Sequence, residues 1–460
     1  MKLNSFLKVT AGALGLAAMC ALGAAFLVPT AARAETLTVR CLPEQKKVPY
    51  GKSRELVIKI DIDSEKGKTT RRLPLNIAVV LDRSGSMSGA KIEKARQAAC
   101  ALVDQLGAED TFSLVAYDND VDVLIPAQRI EEKAEIKRKI ERIRPGGSTA
   151  LYAGVEEGAK QLKRYFETKN INRVILLSDG LANVGPSSTG EVRDLGRRLS
   201  GKGISVSTIG LGDDYNEDLM TALAVASDAN YYYVKDVEKL QQVFEKELGE
   251  LLAVTARNIR IRIVLPNGVE PLGLIGRDEK FDTDKRTGEV TFAPFYSGQQ
   301  RYIFLRCRLP DNETEETRDV AKVQLSYDDE LNAGKRVETE QVVQVSYSKD
   351  AEEAAKTVDK SVVIARDLQY NALEKDRAVQ YNDSGNYKEA NRILKLNEQK
   401  LRQLATDAKK DGTVSANEIQ KLEAEADQMN EAAAGTAAAP MTPSARKATT
   451  EQSYRTKMAK

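Results

Sequence analysis

Asp82, Ser84 and Ser86 alternate at the end of the run Asn76-Ile77-Ala78-Val79-Val80-Leu81-Asp82-Arg83-Ser84-Gly85-Ser86-Met87. One carboxylate and two hydroxyls on a tight turn are all hard oxygen donors. Such a set suits Mg²⁺, which prefers oxygen, keeps several waters and needs few carboxylates. Two later segments add to it. Pro145-Gly146-Gly147-Ser148-Thr149 reads as a turn opening a helix, and Thr149 brings a third hydroxyl. Val174-Ile175-Leu176-Leu177-Ser178-Asp179-Gly180 ends in a second aspartate. Each fragment has a plainer reading by itself. Asp-x-Ser-x-Ser caps a helix start, and Asp179-Gly180 turns the chain. Placed together at strand ends and helix starts, they favour a metal site.

The elements that must position these residues are legible around them. Asn76 to Leu81 and Val174 to Leu177 lack polar alternation, so they read as strands buried on both faces of a parallel sheet. The carboxyl edge of such a sheet is where ligands bind. The three pieces together resemble the metal-ion-dependent adhesion site of von Willebrand factor type A (vWA) domains. That pattern is Asp-x-Ser-x-Ser, a downstream Thr, then an Asp after an apolar strand. Asp82, Ser84, Ser86, Thr149 and Asp179 fill it with none missing. The loop Gly210-Leu211-Gly212-Asp213-Asp214-Tyr215-Asn216-Glu217 also looks like that of bacterial and inter-alpha-trypsin-inhibitor heavy-chain type members. The resemblance is close from about Leu75 to Ala253 and weaker outside it.

The resemblance implies Mg²⁺, with Mn²⁺ or Ca²⁺ as alternatives. Ser84, Ser86 and Thr149 would be direct ligands, with Asp82 and Asp179 acting partly through water. One coordination position would remain for an Asp or Glu carboxylate of a protein partner. Hydroxyls and waters leave such an ion under-neutralised, which favours an anionic ligand. Asp213, Asp214 and Glu217 read instead as a capped helix start whose dipole favours acids. Asn183 and Gly185 read as residues that shape the loop.

The competing class is an enzyme, a metal-dependent hydrolase or phosphatase on a similar sheet. It would need a nucleophile and a general acid or base beside the metal. A phosphatase of this kind would want a second Asp where Ser84 stands. The chain has no Gly-x-Ser-x-Gly elbow and no phosphate-binding Gly-Lys-Ser/Thr loop. It also has no His, which removes the commonest general base. Binding, not catalysis, is the expectation.

Charge is nearly balanced, with 69 basic and 68 acidic residues, so nucleic acid is not an expected partner. Residues 1–34 read as a signal peptide: Lys2 and Lys8, an apolar Val9 to Val28, and Ala32-Arg33-Ala34 as the cleavage site. The alternative is an uncleaved anchor. Either reading places the protein outside the cytoplasm, periplasmic or extracellular. Nothing after residue 34 is long and apolar enough to span a bilayer. Of the remaining cysteines, Cys100 reads as a small buried hydrophobe. Cys41 and Cys307 lie on expected strands, where a bridge and two free thiols are equally open.

Six segments follow. After the signal, residues 35–72 alternate like half-buried strands. Residues 73–254 alternate strands and helices, a Rossmann-like α/β domain. Residues 255–348 are strands separated by turns such as Pro266-Asn267-Gly268, a β-sandwich pattern. The strands of 35–72 have no sheet of their own, so they are expected to complete that sandwich, with the α/β domain inserted between its strands. Residues 349–432 predict a helical hairpin broken at Asp383-Ser384-Gly385. Residues 433–460 are low-complexity, then polar and basic, and predict a disordered tail.

Overall fold

The computed structural model describes residues 35–67, 72–277, 279–436 and 439–458. The expected signal segment, 1–34, lies outside them. Three strands open the described chain: β1 (Leu37–Pro43), β2 (Lys47–Pro49) and β3 (Arg54–Ser64). The central domain then runs β4 (Leu75–Asp82), α1 (Ala90–Gln105), β5 (Thr111–Tyr117), β6 (Val121–Arg129), α2 (Lys133–Glu141) and α3 (Leu151–Leu162). It continues with β7 (Ile171–Ser178), α4 (Thr189–Ser200), β8 (Ser205–Leu211), α5 (Glu217–Ala226), β9 (Tyr231–Val234) and α6 (Leu240–Leu252).

These six strands form one sheet in the order β6-β5-β4-β7-β8-β9, parallel except for β6. From β4 the chain steps first to one side and then, at β7, to the other. The switch point therefore falls between β4 and β7, where open α/β sheets form a crevice at their carboxyl edge. Side chains alternate across the sheet. Ile77, Val79 and Leu81 pack toward α1 and α6, while Ala78 and Val80 pack toward α3, α4 and α5. Both faces are covered, which is why the strands carry no polar alternation.

The return strands are β10 (Val254–Val264), β11 (Glu270–Leu274), β12 (Thr287–Phe292), β13 (Phe295–Tyr296), β14 (Gln300–Leu309), β15 (Thr317–Asp329) and β16 (Lys335–Ser348). They build a sandwich with the opening strands. One sheet has the order β1-β3-β14-β11, and the other β12-β10-β15-β16-β2 with β13 beside β10. The two flanks meet directly, since β3 pairs antiparallel with β14 at Ile60 and Ile303. Both residues enter one shared apolar core. Where the chain leaves and re-enters the sandwich, Ser64 and Thr255 hydroxyls lie 2.7 Å apart.

The same registry removes the Cys41–Cys307 bridge. Cys41 pairs with Ile60 and Cys307 with Leu56, on opposite sides of β3. Strands two apart are separated by roughly 9.5 Å, beyond the reach of a disulfide. Both thiols are free, and burial pushes each up to about 12.

After the sandwich come α7 (Ala351–Ala355), α8 (Lys360–Asp383), α9 (Tyr387–Asp411), α10 (Ala416–Ala434) and α11 (Pro443–Lys457). The expected hairpin is thus extended by α10, which a second turn at Gly412 folds back onto α9; Gly412 takes φ +71°. Helix α8 lies on the outer face of the first sandwich sheet through Ala365 and Leu373, against Val57, Ile275 and Phe304.

The expected disordered tail is corrected by α11. Three of its four basic residues are neutralised by acids far away in sequence, and Arg455 pairs within the helix with Glu451. Arg446 pairs with Glu217, Asp218 and Asp383, Lys447 with Glu217, and Lys457 with Asp376. Tyr454 is buried edge-on against Tyr231. A polar composition predicts solvation only when its charges have no fixed partners, and here they have them.

Candidate metal centre

Three loops meet at the carboxyl edge between β4 and β7. The first, Asp82 to Ser86, leaves β4. The second carries Thr149 into α3, and the third begins at Asp179 after β7. Backbone bonds sew them together. Gly146 N donates to Arg83 O at 2.7 Å and Gly85 N to Gly147 O at 3.0 Å, joining the first loop to the second. Thr149 N donates to Asn183 Oδ1 at 2.9 Å, while Asn183 N and Val184 N donate to Thr149 O. That joins the second loop to the third. Helix α3 can come down close enough because its inner face is small: a Cβ on Gly154 would lie 2.9 Å from the Tyr117 ring.

All five residues picked from the sequence come together here. Asp82 and Asp179 are fully buried, and Ser84 and Thr149 nearly so. Asp82 Oδ1 accepts from Ser84 N (2.8 Å) and Oδ2 from the Ser178 hydroxyl (2.7 Å). Ser86 Oγ donates to Asp179 Oδ1 at 2.7 Å and lies 3.0 Å from Ser84 Oγ. Burial lifts the Asp82 carboxyl above its ordinary range, partly offset by its bonds from Ser84 and Ser178 and reinforced by the charge of Asp179.

Gly180 shows that the donors face one another across a gap. A Cβ there would sit 2.9 Å from Thr149 Oγ1, 3.5 Å from Ser86 Oγ and 3.6 Å from Ser84 Oγ. Three hydroxyls thus converge on a space that any side chain at position 180 would fill. Among the described residues no group of three or more His, Cys, Asp or Glu forms a metal cluster. The donor set here is of another kind, two carboxylates and three hydroxyls. It fits a hard cation that keeps part of its water.

Other residues emerge only from the fold. Lys91, in the first turn of α1, places Nζ 2.5 Å from Asp179 Oδ2. Its signal in the sequence was only a lysine two residues after Gly89. Ser178, to which the sequence alone assigns no role, donates its hydroxyl to Asp82. Glu217 is not part of the centre; it is buried under Arg446 and Lys447 of α11. Asp213 accepts from the Tyr233 hydroxyl at 2.5 Å. Asn216 caps α5, accepting from Asp218 N and Leu219 N, as a helix-start reading of that loop requires.

Residues 76–246 match the von Willebrand factor type A domain family. This segment is a vWA domain. Curated relatives match along the chain as well. "Uncharacterized protein sll0103" of Synechocystis sp. is 28% identical over 280 residues, which are 59% of this chain and 66% of that protein. Inter-alpha-trypsin inhibitor heavy chain H3 of Mus musculus is 28% identical over 192 residues, 39% of this chain and 22% of the relative. The chain thus spans less than two thirds of either relative. The solved structure "von Willebrand factor type A from Catenulispora acidiphila" superposes with a TM-score of 0.67, covering 82% of this chain and 88% of that one at 15% identity. That likeness is one of fold. vWA domains commonly serve as metal-dependent adhesion or protein-interaction modules. Among the described residues no helix is long and apolar enough to cross a membrane.

Proposed function

We propose that this protein is an exported interaction module whose vWA domain holds Mg²⁺ and meets a carboxylate of a protein partner. Ser84, Ser86 and Thr149 would hold the ion through their hydroxyls, with Asp82 and Asp179 behind them as the balancing charge. The observation that carries this reading is the gap beside Gly180, on which the three hydroxyls converge. A bound divalent cation supplies the positive charge that an Asp or Glu side chain of the partner would meet. The chain's own part is preorganisation. The cross-loop bonds at Gly85, Gly146 and Thr149 fix the donors in advance, so little ordering opposes binding. Export rests on the sequence of residues 1–34.

The phosphatase reading needs an aspartate where Ser84 stands. The test is affinity capture from the native envelope with Mg²⁺ and with a chelator, alongside Asp82→Ala. A partner retained by both the chelated protein and the variant overturns the reading.

A further inference from the structure

Asp179 is held on both of its oxygens. Oδ1 accepts from Ser86 Oγ at 2.7 Å, on the side of the gap, while Oδ2 meets Lys91 Nζ at 2.5 Å. The ammonium is therefore one carboxylate away from the three hydroxyls beside Gly180. It is also reachable from outside: the Lys91 side chain keeps 26% of its surface, and that of Asp179 keeps none. A lysine ammonium carries three donors on a flexible four-carbon stem. Among the described residues Lys91 Nζ donates to Asp179 alone.

The wall beside this side chain is bare backbone. Gly212, in the loop after β8, takes φ +76°, and a Cβ there would lie 3.6 Å from both Cε and Nζ of Lys91. With glycine at that position the space stays unfilled, and the ammonium has room to swing.

Charge decides what such a lysine is for. Asp82 and Asp179 are two buried carboxylates in one centre, and Lys91 is a cation in direct contact with it. Arg83, on the first loop, is committed to Asp118 and Asp122. A divalent ion in the gap would balance the two carboxylates without help, and at this range it would repel the ammonium from Asp179. The released Lys91 leaves the loaded centre with one surplus positive charge, which a single carboxylate matches.

We propose that Lys91 is a displaceable internal cation that also determines specificity: it neutralises Asp179 while no ion is bound and grips the partner's carboxylate once one is. The proposal rests on the metal reading above. It adds that the partner's acid is read by two cations, the ion and this ammonium. A carboxamide is then a poor substitute for the acid, because it forms no charge-assisted pair of that strength with Lys91.

The test uses the full chain, Mg²⁺ and N-acetylaspartate amide in place of the partner's side chain, with N-acetylasparagine amide as control. Titration calorimetry measures Mg²⁺ binding. Acetylation of Lys91 by a water-soluble active ester, followed by peptide mass spectrometry, reads the ammonium. Mg²⁺ should speed this acetylation at least threefold, because Lys91 no longer shelters against Asp179. The aspartate compound at millimolar concentration should restore the protection, and the asparagine compound should not. By linkage, the aspartate compound should also tighten Mg²⁺ binding at least threefold in the wild type. Lys91→Met should bind Mg²⁺ without that tightening, and Lys91→Arg should keep it. Mg²⁺ that binds yet leaves Lys91 acetylation unchanged overturns this proposal alone. So does tightening that survives in Lys91→Met. Absence of Mg²⁺ binding in the wild type overturns both this proposal and the metal reading.

Discussion

At the amino end of β4, Asn76 and Asp110 are as deeply buried as Asp82 and Asp179 are at the carboxyl end. Their partners differ in kind. Asp110 accepts from Leu75 N at 2.9 Å, from Gly107 N at 2.7 Å and from Arg72. Asn76 donates to Leu162 O and Asn172 Oδ1 and accepts from Thr111 Oγ1, so its amide is used completely. Asp110 is held chiefly by two backbone N–H groups, which cannot turn away, with Arg72 beside them; a hydroxyl donates only to Asn76. At the carboxyl end the donors to the two aspartates are two serine hydroxyls, one lysine and a single backbone N–H, that of Ser84. Hydroxyls rotate and keep lone pairs free. Two buried polar clusters on one sheet thus divide by replaceability: one closes the fold, the other is open to exchange its partners.

The largest effect should come from the closed end. Asp110→Ala leaves two backbone N–H groups unpaired and should cost about 3 kcal/mol of unfolding free energy in urea titration, with the Mg²⁺ response of the folded fraction retained. Loss of that response instead would blur the distinction between the two ends.

At the open end, Mg²⁺ should raise the melting temperature of the wild type and a chelator should lower it. At a concentration about 100 times the dissociation constant, linkage gives roughly 2.7 kcal/mol. Asp82→Ala should lose this increment yet match or exceed the wild type without metal, since a buried carboxyl close to Asp179 is removed. A metal-free variant that fails to fold would move Asp82 into the structural class.

Smaller changes sharpen the contrast. Gly180→Ala should weaken Mg²⁺ binding on the order of tenfold, about 1.4 kcal/mol, with little change in metal-free stability by thermal melting. Lys91→Met removes a positive charge beside Asp179 and should tighten Mg²⁺ several-fold in titration calorimetry at low salt, less so at high salt. The smallest effect is expected at Cys41 and Cys307: a reductant should leave the melting temperature unchanged, because neither thiol is bridged.

How much of this was readable beforehand follows from distance along the chain. The apolar runs of β4 and β7 and the Asp-x-Ser-x-Ser turn are local signals, and so were legible. That both flanks share one sandwich was inferred from strands that lacked neighbours; which strands pair, β3 with β14, was not. Lys91 and Asp110 were invisible, because a lone charge acquires meaning only from the partners that folding brings to it. The tail was misread for the same reason: Arg446 and Glu217 are 229 positions apart. The Cys41–Cys307 question turned on registry across β3, which composition does not encode.

The vWA domain leaves the sandwich after β3 and returns into β10, with Ser64 and Thr255 side by side. A pull on its carboxyl edge is therefore shared between two covalent arms anchored in facing sheets. One arm alone would act as a swivel; two adjacent arms resist twist and allow at most bending about the line between them. Arg173 stiffens that line from within, donating to Ser207 Oγ in the sheet and to the Tyr296 hydroxyl in β13. Tension would reach the sandwich as shear along its strands, the direction in which a hydrogen-bonded ladder must break many bonds at once.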